Sequence, residues 1–137
     1  MRRRSRRGAS ALELALSLPV LTLFMSTILD YGWYLSRLNY VQQAVHYGVR
    51  AGVTVSESSS SESATTVAKE HASDVLEGMG IACNGDEDCK IEASLGTAGS
   101  LQTLTVSANL TFDPLAGLIP YPEAMNVSFT MAMEDQE

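Results

Sequence analysis

Residues 9–29 read ASALELALSLPVLTLFMSTIL, a run of twenty-one positions in which Glu13 is the sole charge. A helix rising about 1.5 Å per residue crosses the hydrocarbon core of a bilayer with a run of this length. Five arginines, Arg2, Arg3, Arg4, Arg6 and Arg7, stand immediately before it, and Asp30-Tyr31-Gly32-Trp33-Tyr34 stands after it. Positive charge is held on the cytoplasmic side and aromatic rings settle at the opposite interface, so the expected topology is N-terminus in, C-terminus out. A secretory signal peptide fits less well, because the apolar run is long and no small-x-small cleavage site follows it. A twin-arginine signal fits less well again, since Gly8-Ala9-Ser10 supplies no hydrophobic residue beside the arginine pair.

The rest of the 137-residue chain differs in character. Sixteen acidic residues face only four basic ones once those five arginines are set aside. That balance disfavours a nucleic-acid-binding domain and predicts an acidic, solvated surface.

Glu13 is costly where it stands. A carboxylate within an apolar membrane helix costs on the order of 2.5–3.5 kcal/mol at the bilayer centre, so it points to a function that needs a partner. No Lys or Arg occurs between Gly8 and Ser36. Within this segment, the cation available would be a new amine at Ala9, created by a cut after Gly8, with Glu13 as fifth residue of the mature chain.

Arg6-Arg7-Gly8, then Ala9-Ser10-Ala11-Leu12-Glu13 and an apolar helix, resembles the class III signal of type IV prepilins. The longer run from Arg6 to about Val53, with Pro19 in the apolar helix and an Ala/Gly/Arg-rich continuation, resembles the TadE-like family of minor pseudopilins from tight-adherence (Tad) pili. Leu14 departs from the aromatic residue that many Tad substrates carry there. The resemblance implies cleavage between Gly8 and Ala9 by a prepilin peptidase, with Glu13 as the assembly residue. It also implies an inner-membrane location and partners among other pilins, pseudopilins and the Tad assembly platform.

Beyond Asp30, Tyr31, Tyr34, Leu38, Val41, Val45 and Val49 recur every three or four residues, which predicts an amphipathic continuation of the helix over 30–53. The whole helix, about 45 residues, would extend about 65 Å, with Pro19 as a kink site. Ser56–Ser63 reads SESSSSES, so 54–63 is expected to be a linker. A second helix is expected from Ala64 to about Gly78, with Val67, His71, Val75 and Met79 on its apolar side and Gly78 and Gly80 as its stop. Period-two alternation then marks three strands, through Ile91–Leu95, Leu104–Phe112 and Met125–Met133. Gly96–Ser100 reads as a hairpin loop, and Pro114, Pro120 and Pro122 mark a longer connection. The expected fold is α+β: a long N-terminal transmembrane and amphipathic helix, a second helix and a three-stranded antiparallel sheet. The chain divides into a leader over 1–8, a transmembrane helix over 9–29, its continuation over 30–53, the linker, and a small extracytoplasmic domain over 64–137.

Cys83 and Cys89 flank a turn-forming loop on the side predicted to be oxidising, so a disulfide is expected. Asp86-Glu87-Asp88 lacks the ligand spacing of a calcium loop and reads as a solvated turn. His46 and His71 with the two cysteines match no zinc spacing, and His71 is expected to pack in the core. The glycosylation sequons at Asn109 and Asn126 fall inside expected strands. There is neither a nucleophile elbow nor a phosphate-binding loop, so no enzyme, cofactor or metal is expected. A structural and assembly subunit is the leading expectation. Its rival is an uncleaved single-pass membrane anchor whose outer domain binds a ligand or partner.

Overall fold

The computed structural model describes residues 4–55, 63–83, 88–118 and 120–133. Outside these lie Met1–Arg3 of the expected leader, 56–62 of the expected linker, and 84–87 with the acidic pair Asp86 and Glu87. The elements run α1 (Arg4–Val53), α2 (Ala64–Gly78), β1 (Cys89–Ala98), β2 (Leu101–Thr111) and β3 (Ala124–Ala132). This is the expected α+β fold. Its contacts cluster in two units, Met1–Leu35 with Asp113–Tyr121, and Ser36–Phe112 with Pro122–Glu137.

In the first unit α1 is apolar around its whole circumference, with Leu12, Leu14, Leu16, Leu18, Phe24 and Ile28 all exposed. A helix that is hydrophobic on every side needs an apolar surrounding, and this one is long and apolar enough to cross a membrane.

The second unit is a small layered core. The later part of α1 contributes Val41, Ala44, Val45 and Val49, α2 contributes Ala64, Ala68, Ala72 and Leu76, and β2 contributes Leu104, Val106, Ala108 and Leu110. The strand order is β1-β2-β3, antiparallel throughout, so β2 is central and its alternate side chains face inward. That is the expected pattern of one covered and one wet sheet face. The outer strands are less deeply covered: Ile91 and Ala93 are half-buried, while Leu95 and Phe129 are exposed. Gly99-Ser100 forms a two-residue turn, with Ala98 paired to Leu101 and Gly99 at φ +67°. Gly96–Ala98, expected in the loop, therefore extends β1, because a glycine at the first central position closes a tight hairpin.

Sequence signals set both ends of α2. Ser63 caps its start, its Oγ accepting from the Thr66 amide at 3.4 Å. At the other end the Ile81 amide donates to the Leu76 carbonyl and the Gly80 amide to the Glu77 carbonyl, both at 2.9 Å. Gly80 adopts φ +79° and Ile81 is buried, which completes a Schellman closure.

The buried face of α2 is not the expected one. Ala64, Ala68, Ala72 and Leu76 face the core, Val67, Val75 and Met79 are half-buried, and His71 is exposed. The expectation of a core histidine is thus corrected. The alanine row faces inward because Gly48 and Gly52 of α1 come against it: a Cβ on Gly48 would stand 2.6 Å from the Ala68 carbonyl oxygen. Gly52, one residue before the end of α1, serves the same close approach.

Candidate functional site

Of the residues singled out at the start of the chain, Gly8, Ala9, Glu13 and Pro19 lie on α1, while Arg2 and Arg3 lie outside the described residues. Gly8, Ala9 and Glu13 are exposed, and Ala9 and Glu13, four positions apart, share one helical face. Pro19 lies within the helix and leaves the Ala15 carbonyl without its usual amide donor.

Four other polar side chains along the apolar run, Ser17, Thr22, Ser26 and Thr27, are satisfied within the helix. Ser17 donates to the Leu14 carbonyl at 3.1 Å, Thr22 to Pro19 at 2.8 Å, Ser26 to Leu23 at 3.0 Å and Thr27 to Leu23 at 2.8 Å. Turning a hydroxyl back onto a carbonyl three or four residues earlier removes most of the penalty of placing it in apolar surroundings. Among the described residues, Glu13 has neither a hydrogen-bond nor an ion-pair partner. Its neighbours on the helix surface are Ser10, Ala11, Leu14 and Ser17, which offer no charge to balance it.

A second carboxylate, not singled out in the sequence, is built quite differently. Asp30 is only 2% exposed. One of its oxygens accepts from the Ala116 amide at 2.8 Å and the other from the Gly117 amide at 3.2 Å. Both carboxylate oxygens thus hold successive backbone donors of the segment Asp113–Tyr121. The signal available in the sequence was an acid directly after an apolar run, together with a later proline-bounded apolar loop. Nothing in local periodicity links two positions so far apart.

In the second unit Cys83 and Cys89 are joined in a disulfide with a Cα–Cα distance of 5.0 Å, tying the segment after α2 to the first residue of β1. His46 is half-buried and meets the Phe129 ring edge-on, with centroids 4.9 Å apart. Asn39, Gln43, Tyr47 and Ser128 lie around this ring pair in an open groove. Its amides, hydroxyls and rings suit packing and hydrogen bonding and hold no nucleophile–base pair. On the wet face of the sheet the Lys90 ammonium lies 2.6 Å from the Glu92 carboxylate. Hydrogen bonding, then simple charge attraction, lowers the Glu92 pKa and raises that of Lys90 from their ordinary values. No group of His, Cys, Asp and Glu among the described residues is arranged to hold a metal ion. His46 and His71 are not brought together with the cysteines, both of which are in the disulfide.

No curated protein and no solved structure matches the chain. A family model does match, over residues 8–51, and its description is TadE-like protein. The matched stretch contains Gly8, Ala9, Glu13, Pro19 and Asp30 and ends within α1. Over residues 8–51, about a third of the chain, the sequence is similar to the TadE-like family.

Proposed function

We propose that this is a TadE-like minor pseudopilin, a structural and assembly subunit of a Tad-type pilus and not an enzyme. A prepilin peptidase cuts it after Gly8, and residues 9–29 anchor it in the inner membrane with the outer domain on the far side. The observation that carries this reading is Glu13, four residues after Ala9 and without a partner among the described residues, in a segment matched by the TadE-like family model.

The chemistry follows from charge. Cleavage converts the Gly8–Ala9 amide into a free ammonium on Ala9 within an apolar environment. That ammonium attracts the Glu13 carboxylate of a neighbouring subunit by about 4 kcal/mol at a separation near 4 Å and an effective dielectric near 20. This is comparable to the cost of inserting the acid, so docking two subunits offsets the penalty each carries alone. Small residues beside Glu13, such as Ala11, Ala15 and Ser17, let helices approach closely enough for the pair to form.

The test is the N-terminal residue of the protein extracted from membranes that contain a prepilin peptidase. Mature chains beginning at Ala9 are expected by mass spectrometry. Chains that all retain Met1 would overturn the processed pseudopilin in favour of the uncleaved single-pass anchor.

A further inference from the structure

The sequence between Asp113 and Glu123 is PLAGLIPYP, with no charged residue. Leu115 and Leu118 are 65% and 64% exposed. Two large aliphatic side chains pointing away from a loop would be a liability in water, but they are held in place. The Asp30 carboxylate grips the Ala116 and Gly117 amides, and Gly117 adopts φ +63°, which fixes the bend between the two leucines.

The place of the grip identifies what the loop meets. Asp30 is the first charged residue after Glu13 and stands where the apolar run ends. Just before it, in the same unit, Phe24, Met25, Ile28 and Leu29 are exposed on the helix; just after it come Tyr31 and Trp33. A bilayer that takes up residues 9–29 therefore brings its headgroup zone to Asp30, and with it to the loop that Asp30 holds. An uncharged, leucine-bearing loop flanked by aromatic rings is suited to that zone.

We propose that residues 114–118 are a second membrane contact, an interfacial loop that lays Leu115 and Leu118 into the outer leaflet and is positioned by Asp30. The proposal rests on α1 spanning the bilayer and is independent of pilus assembly. Asp30 acts here as a positioning residue. Its carboxylate satisfies two loop amides that would otherwise meet lipid without partners.

The test uses the full chain in vesicles of phosphatidylethanolamine and phosphatidylglycerol. An environment-sensitive dye is attached to Leu118→Cys, the native cysteines being occupied by their disulfide. A parallel label at Leu21→Cys reports the membrane helix. Iodide quenching at 118 is expected to be about fivefold weaker than for the dye–cysteine adduct in solution, and lipids carrying a quencher near the headgroup should quench it strongly. Adding Asp30→Ala should return most of the iodide sensitivity. A label at 118 that is freely quenched by iodide while the label at 21 is shielded overturns the loop contact alone; iodide access at both overturns the spanning helix as well. Shielding at 118 without quenching by the lipid-borne group would place the loop against protein and overturn the proposal.

Discussion

Gly52 of α1 and Ala68 of α2 meet at backbone distance: a Cβ on Gly52 would stand 2.8 Å from the Cβ of Ala68 and 2.8 Å from the Ala64 carbonyl oxygen. One turn earlier, a Cβ on Gly48 would stand 2.8 Å from the Cβ of Ala72. Two glycines facing a row of alanines let the helix axes come close and leave no room for even a methyl group.

Gly48→Ala and Gly52→Ala should therefore destabilise the second unit by about 1–3 kcal/mol, despite the better helix propensity of alanine. In thermal melts of the full chain in detergent, this should appear as a loss of roughly 5–15 °C in Tm. Gly78→Ala is the internal control, because no atom lies within 4 Å of a Cβ there. Its melt should be unchanged or slightly raised. Equal losses at all three positions would show that close packing is not the cause.

Reduction of the Cys83–Cys89 bond should cost about 2 kcal/mol, since the enclosed loop is short and its closure entropy small. Chemical denaturation with and without reductant measures this directly. The expected result is a lower midpoint with helix and sheet signals retained in the absence of denaturant.

For Glu92, NMR titration should find the carboxyl ionising below the usual glutamate range, and Lys90→Met should move it back up. A depressed carboxylate pKa stabilises the fold above the unfolded value and loses that contribution as pH falls through the folded value. The raised Lys90 pKa acts in the opposite direction: its contribution is present in neutral solution and lost as pH rises through the folded value. Both side chains are well exposed, so the position of the titration is the readout and overall stability near pH 7 should barely change.

Glu13→Gln keeps the shape of the side chain and removes its charge. Membrane insertion should be unchanged or improved, and the second unit should remain folded. Pilus formation in cells carrying only this variant should fail, with crosslinks to neighbouring subunits reduced about tenfold or more. Normal pili would show that the carboxylate is incidental.

Elements with a strong local signature were legible in the sequence. The apolar run, the Gly80 closure and the alternation of Leu104, Val106, Ala108 and Leu110 each belong to one stretch of chain, and each describes the structure. What escaped depends on partners distant in sequence. The face of α2 was misjudged because Val67, His71 and Val75 are larger than the alanines beside them, whereas close approach to Gly48 and Gly52 selects the smaller residues. Asp30 escaped for the same reason, since its two hydrogen bonds reach residues 116 and 117. The apolar character of β1 and β3 was visible, but periodicity does not tell a central strand from an edge strand. Only the order β1-β2-β3 explains why Leu95 and Phe129 remain exposed.

Because Val41, Val45 and Val49 form one wall of a core whose other walls come from residues 64–133, that core cannot close when its first component is made. At the usual pace of translation the valine face waits on the order of ten seconds for β2 and β3 to follow. During that interval the segment has the stickiness of an unfinished interior, and chaperone contact or premature association would begin there. The same order of assembly says where the chain tolerates being shortened. A fragment starting at Ser63 would keep α2 and every strand but lack the surface they were shaped to cover, whereas one starting at Ser36 would keep the complete second unit.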